Sequence, residues 1–284
     1  MQQYRPNKFG LLPPVVKNLL IINGLLFLAT ITLQKVFHFD LIDFLGLHFF
    51  KADKFKGIQY ITYMFLHGSF GHVFFNMFAL WMFGNVLENV WGGRRFLFYV
   101  LFTGIGAALL HTLVIYIELR PFLHYMNAFL NDPTVTNMEN FLSHHRFTIN
   151  PHDIDIIAAF NSFKEYGNSW LTNPSDLITK AKVIEFMGTY KEYVLNLPTV
   201  VGASGAVFGI LLAFGMLFPN SLIYIYFAIP IKAKYFVMIY GALELYLGFS
   251  NRMGDNIAHF AHLGGMLFGF ILLMIWKKSR KKFY

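Results

Sequence analysis

The chain has 284 residues, of which 56% are hydrophobic and only 13% charged, with a mean hydropathy of +0.50; soluble domains carry about 25% charged residues, so an ordinary soluble globule is excluded and a membrane protein is indicated. There is no cysteine, which excludes disulfides, a thiol nucleophile and thiolate metal sites. The net charge of +8 is unevenly placed: residues 122–198 carry −3 and the remainder +11.

Basic residues crowd both ends: Arg5, Lys8 and Lys17 at the start, then Lys277, Lys278, Arg280, Lys281 and Lys282. A basic end can mark nucleic-acid binding, but here it adjoins an apolar segment and reads as the flank of a cytoplasmic membrane end, with no nucleic-acid partner expected. A spanning helix needs about 20 mostly apolar residues. The first candidate is Val16 to Val36, with no clear small-residue cleavage site after it, so no removable leader is expected. The second, Phe70 to Val90, carries His72 and Asn76 four residues apart on one face, with Glu88 near its end expected to pair with Arg94 and Arg95. The third is Phe96 to Ile117.

Residues 122–198 are too polar to span and form an insertion. Asn173-Pro174-Ser175-Asp176 reads as a helix start with Ser175 as the cap, opening an amphipathic helix from Asp176 to Val194. Asp153 to Phe163 reads as a shorter helix, and His144, His145 and His152 as solvated side chains.

The fourth span, Gly202 to Phe218, is short. From Ser204 to Phe218 it covers about 21 Å at 1.5 Å per residue, against a bilayer core of about 30 Å, so Ser204 should face a recess below the outer surface. Leu222 to Ile231, interrupted by Pro230, reads as an interfacial or re-entrant connection, with a seventh crossing as the alternative. The fifth span is Tyr235 to Phe249, with Glu244 inside it. The sixth is Ile257 to Trp276, with His259 and His262 near its start. Six crossings place both termini in the cytoplasm, although Lys51, Lys54 and Lys56 then fall on the outer side. The expected divisions are 1–121 and 199–284 for the membrane part, with 122–198 an extracytoplasmic insertion.

Polar side chains within membrane segments are costly and need a reason. His72, Asn76, Ser204, His259 and His262 all lie toward the N-terminal ends of segments two, four and six, which run in the same direction. They therefore share a depth near the outer face. Gly202-Ala203-Ser204-Gly205 places a serine at a tight turn opening a helix, where free N–H groups and the positive dipole end suit a developing oxyanion. Gly205 and Gly209 on one helix, and Gly265 and Gly269 on the other, form small-residue faces for close contact. That contact would bring His262 to Ser204, as base activation of a serine requires, with Phe208 one turn on to stack against the imidazole. His72 and Asn76 are donors suited to an oxyanion. Each residue also has a plainer reading: Ser204 as a packing residue, His262 as a satisfied core histidine, His72 and Asn76 as polar glue between helices. The pairs His67/His72 and His259/His262 raise a metal site, but with no HExxH, no cysteine and no acid placed as a ligand, no metal is expected; His67 and His259 read as structural or rim residues. Glu244 stays open: neutral, bonded across helices, or a proton relay.

Taken in order, His67-x4-His72-x3-Asn76, then Glu88…Gly92-Gly93-Arg94-Arg95-Phe96, then Gly202-x-Ser204-Gly205, then Ala261-His262-x-x-Gly265-x-x-x-Gly269, the motifs resemble the rhomboid family of intramembrane serine proteases. The resemblance covers about Gly57 to Trp276 apart from the insertion. It implies an all-α bundle of six transmembrane helices and a serine endopeptidase without cofactor. Ser204 would be the nucleophile and His262 its base, a pair lacking a carboxylate. His72, Asn76 and the Ser204 N–H would form the oxyanion hole, and Phe208 would pack on the base. Residues Phe249 to Asn256 would be a mobile cap, the fifth segment a lateral gate, and single-span membrane proteins in the bilayer the substrates. An integral multi-pass protein of the bacterial inner membrane is the expected setting. Gln59 stands where many members carry arginine, so the first loop's anchoring is expected to differ. A catalytically silent rhomboid-like protein that binds membrane helices is the alternative, followed by a transporter or channel lined by histidines and Glu244.

Overall fold

The computed structural model describes residues 12–225, 228–250 and 259–280; the expected cap from Phe249 to Asn256 lies mostly outside them. Among the described residues the fold is all-α apart from two short strand pairs. It divides into two compact units: the described residues of Met1–His48, Lys54–Val114 and Thr199–Tyr284, and those of Phe49–Asp53 and Ile115–Pro198.

In chain order, α1 (Pro14–Phe37) opens on a proline, whose missing N–H costs nothing in a first turn. Its Ile21, Leu25 and Leu28 are 51%, 62% and 61% exposed, an apolar stripe at helical spacing of the kind that faces lipid or another protein. Helix α2 (Leu41–Leu45) is capped by Asp40 and leads to strand β1 (Leu47–His48). Short α3 (Gln59–Thr62) follows. Gln59 is fully buried: its Oε1 accepts from the His48 and Lys56 N–H groups, and its Nε2 donates to the Phe44 and Lys54 carbonyls. A neutral amide with four bonds thus anchors the first loop.

Helix α4 (Phe70–Ala79) is capped by the Ser69 hydroxyl and continues through a π-helical turn (Leu80–Gly84) into α5 (Asn85–Trp91). Glu88 does not pair with Arg94 or Arg95 as expected. Its carboxylate accepts from the Val15 and Val16 N–H groups at 2.9 and 2.7 Å, capping the positive end of α1, while Arg95 lies over the Trp276 ring at 3.9 Å. Hydrogen bonds to a buried charge contribute about 1.5–3 kcal/mol. Glu88→Ala should therefore lower the thermal midpoint in detergent by an amount corresponding to about 2 kcal/mol or more, and an unchanged melt would show that the cap contributes nothing.

Helix α6 (Gly93–Asn131) runs well past the expected end at Ile117, so the expected boundary at residue 121 falls inside a helix that also contains Pro121. Glu118 and Arg120 end the membrane-like stretch but not the helix, because Phe122, Leu123, Met126 and Phe129 continue a buried stripe.

In the second unit, α7 (Val135–His144), α8 (Ile154–Thr172) and α9 (Leu177–Asn196) follow. Helix α7 was not expected, and α8 is longer than expected. Asp176, rather than Ser175, caps α9, its carboxylate accepting from the Ile178 and Thr179 N–H groups. A core of Phe141, Phe163, Trp170, Phe186, Met187 and Tyr190 fills this unit. The Tyr190 hydroxyl accepts from the Thr148 N–H at 2.9 Å and lies 3.1 Å from His145 Nε2. His145 is thus not simply solvated: its ring packs on Phe122 and Phe141, and burial pushes its pKa below the usual histidine value. With the native pKa depressed, the unfolded chain binds the proton first as pH falls. The contribution of His145 is complete above the ordinary histidine pKa and is lost as pH drops toward the depressed one. Melts of the full chain between about pH 7.5 and pH 5 should fall less steeply for His145→Gln than for the unmodified protein; parallel curves would remove this account.

Back in the first unit, strand β2 (Thr199–Val200) pairs antiparallel with β1, Leu47 opposite Val200. Helix α10 (Ser204–Leu217) has nine of its 14 residues buried and so is a central helix, wrapped by others, that needs little lipid-facing surface. Strands β3 (Leu222–Ile225) and β4 (Ile229–Lys232) form an antiparallel hairpin with Tyr224 opposite Pro230. The apolar run there is a strand pair and not a seventh spanning helix. Helices α11 (Ala233–Ser250) and α12 (His259–Arg280) complete the unit. Among the described residues, four helices are long and apolar enough to cross a membrane: α1, the α4–α5 run, α6 and α12.

Candidate active site

Three helix N-termini meet at one place. The segment leading into α10 is positioned by the Gly202 N–H, which donates to the Tyr63 carbonyl at 2.9 Å, while the Tyr63 hydroxyl donates to the Gly104 carbonyl at 2.7 Å. Gly202 has φ +123°, and a Cβ there would stand 2.6 Å from His72 Nε2 and 3.8 Å from Asn76 Nδ2. Only glycine suits that backbone, and its lack of a side chain leaves the space onto which His72 and Asn76 face.

Helix α10 then begins at Ser204 with Ala203 as a cap that makes no side-chain bond, so the first-turn N–H groups have no intrahelical partner. Its packing on α12 is glycine to glycine. A Cβ on Gly265 would strike the Gly205 carbonyl, and one on Gly269 would meet the Tyr99 hydroxyl and approach Gly209 Cα to 3.4 Å. Tyr99 donates to the Gly209 carbonyl at 2.8 Å. This close approach sets Ser204 Oγ 2.8 Å from His262 Nε2. Phe208 lies flat on the imidazole, centroids 4.3 Å apart and planes 7° from parallel. The structure thus brings Ser204 and Phe208 each against His262, sets His72 and Asn76 beside Gly202, and lines the four glycines along the α10–α12 seam. Asn76 is 6% exposed, and its Nδ2 is buried with no hydrogen-bond partner among the described residues. An orphaned buried donor is costly, and here it stands beside Gly202, two residues before the serine. His67, also buried, packs edge-on against His72 with centroids 4.9 Å apart.

On the far side of His262 stands a carboxylate that the sequence reading left unassigned. Glu244 Oε2 is 2.9 Å from His262 Nδ1 and 2.7 Å from His259 Nδ1. The three residues are 6–9% exposed. The signals were present: an acid in an apolar segment and two histidines three apart on one helical face. What the sequence lacks is the pairing of α11 with α12 that joins them. The expectation that no acid is placed as a metal ligand is thereby corrected, since Glu244, His259 and His262 offer three ligand atoms within 4.8 Å of one another. The spacings of 2.7 and 2.9 Å are those of N–H···O bonds, so an ion would have to displace two protons.

The rhomboid domain model matches residues 54–117 and 177–279, more than half of the chain, and the gap between the two stretches falls across α7 and α8. No curated protein matches the chain. With apolar helices long enough to span a bilayer and a domain match that embraces every residue of this cluster, the chain is an integral membrane protein and belongs to the rhomboid family.

Proposed function

We propose that this protein is an intramembrane serine endopeptidase that cleaves single-span membrane proteins in or near their spanning helix. The observation that carries the reading is the 2.8 Å contact between Ser204 Oγ and His262 Nε2 under the Phe208 ring. Ser204 Oγ attacks the scissile carbonyl as its proton passes to His262 Nε2. The oxyanion formed is met by Asn76 Nδ2, the His72 ring N–H and the Ser204 N–H. The imidazolium then gives its proton to the leaving amine, the C–N bond breaks, and an acyl ester on Ser204 remains. Water, deprotonated by the same imidazole, hydrolyses that ester and restores the serine. The chain needs no cofactor for these steps, and nucleic acid has no part in them.

In this reading α10 and α11 also cross the bilayer, giving six spanning helices. The termini are cytoplasmic, residues 122–198 are extracytoplasmic, and the setting is a bacterial inner membrane. The short, centrally buried α10 supports a pocket recessed below the outer surface, where the water that hydrolysis requires can enter.

The test uses purified protein in detergent with a single-span substrate and a fluorophosphonate probe. Cleavage is expected, with the probe attached at Ser204. A folded protein that neither cleaves nor labels would be a non-enzymatic binder of membrane helices instead.

A further inference from the structure

We infer that Glu244 is the positioning residue of this site, held by His259, so that the nucleophile, base and carboxylate form a Ser204–His262–Glu244 relay. The inference rests on the reading of Ser204 and His262 given above.

The argument begins with hydrogen-bond capacity. An ionised carboxylate can only accept. Oε2 of Glu244 lies within hydrogen-bond distance of two imidazole Nδ1 atoms, 2.9 Å from His262 and 2.7 Å from His259. With Glu244 ionised, both Nδ1 atoms carry protons. A neutral His262 protonated at Nδ1 has its lone pair at Nε2, and Nε2 is the atom 2.8 Å from Ser204 Oγ. The carboxylate thus selects the tautomer in which the imidazole can receive the serine proton. The opposite tautomer would put N–H against O–H and leave the serine without an acceptor.

Geometry adds a second constraint. The His262 ring is gripped at three points: Phe208 on its face, Ser204 at Nε2 and Glu244 at Nδ1. A ring so held cannot rotate away from the nucleophile. When the proton arrives and the ring becomes an imidazolium, the buried carboxylate stands beside the new positive charge, where such a charge pair is stronger than in water. His259 has a separate part. A buried carboxylate with one neutral donor is poorly compensated; the second N–H from His259 helps meet that need and fixes the carboxylate's direction. The two bonds also join α11, which carries Glu244, to α12, so the base is correctly aimed only while α11 is docked.

The experiment compares Glu244→Gln, Glu244→Asp and His259→Gln with unmodified protein, each checked by its melt in detergent. Glutamine keeps the shape but can turn its NH2 toward His262 Nδ1, which favours the wrong tautomer. Removal of an orienting carboxylate in the serine-protease template costs up to about 10⁴-fold in kcat. For Glu244→Gln, kcat should fall by roughly 10²-fold to 10⁴-fold with KM within about twofold, because Glu244 acts on the base and not on the bound substrate. Glu244→Asp should recover part of the rate, and His259→Gln should lose less than Glu244→Gln. A readout that does not depend on the Glu244 and His259 variants folding is the imidazole ¹⁵N spectrum of unmodified protein, with His262 assigned by its absence in His262→Gln. An Nδ1–H tautomer is expected. An Nε2–H tautomer, or a Glu244→Gln enzyme with unmodified kcat, overturns the inference. So does loss of activity on chelation with recovery on adding zinc, which would make the trio a metal site. If Ser204→Ala remains active, the serine-protease reading fails and takes this inference with it; if Ser204→Ala is dead and Glu244→Gln is fully active, only the relay fails.

Discussion

Ser204→Ala should reduce cleavage of a single-span substrate by at least about 10³-fold, and His262→Ala by a similar factor, while the double variant should be no worse than either alone. The reason is that nucleophile and base act as one unit: without the hydroxyl there is nothing for the imidazole to deprotonate, and without the imidazole the hydroxyl is a weak nucleophile. The two replacements differ in their effect on folding. Ser204→Ala removes one partly buried hydroxyl and its bond to His262, at a cost of about 1 kcal/mol, so the fold should persist with an empty nucleophile position. His262→Ala removes a ring stacked on Phe208 and takes one of the two imidazole donors from the Glu244 carboxylate, so it should also lower the melt. Ser204→Ala is therefore the decisive variant. If it keeps even a tenth of the activity while folded, another group performs the attack and the proposed chemistry is wrong.

How much of this was readable without a structure depended on whether the signal was local. The serine opening α10, the histidine near the start of α12 and the glycines at four-residue spacing are local patterns, each with a plainer packing reading beside the catalytic one, and the glycine faces of the two helices do meet. Helix ends were read less well, because polarity marks where lipid stops rather than where a helix stops: α6 continues beyond Glu118 and Arg120 on a stripe that faces protein. The apolar run from Leu222 to Ile231 has no period that separates a strand pair from a re-entrant loop, and Pro230 fits an exposed two-stranded edge. Glu88 and Glu244 were visible as misplaced acids, but their partners were not. A carboxylate can be matched by a guanidinium, by backbone N–H groups or by imidazoles, and only tertiary pairing decides among them. For Glu88 the partners are Val15 and Val16, some 70 residues earlier in the chain.

The second large effect should come from adding a single methyl group. Gly265→Ala should destabilise the membrane unit by about 3 kcal/mol or more and remove most activity, although position 265 contributes no chemical group. The new Cβ would collide with the Gly205 carbonyl, an atom of the α10 backbone one residue after the nucleophile. A flexible side chain could swing aside, but a helix backbone carbonyl cannot, so the strain is relieved only by parting α10 from α12. Those are the helices that carry Ser204 and His262. Parting them by about 1 Å takes the 2.8 Å contact beyond hydrogen-bond range, and a misplacement of that size can cost on the order of 10²-fold in rate. Gly269→Ala should be nearly as harmful, since its Cβ meets the Tyr99 hydroxyl that bonds the Gly209 carbonyl. Gly24→Ala is the control: nothing lies within 4 Å of a Cβ in the middle of α1, and relief of the glycine's backbone entropy should raise stability by about 0.4–1 kcal/mol. Paired melts and cleavage rates of the three variants should therefore separate Gly24→Ala from the other two in sign. A stable, active Gly265→Ala protein would mean that the glycine seam does not set the distance between serine and histidine.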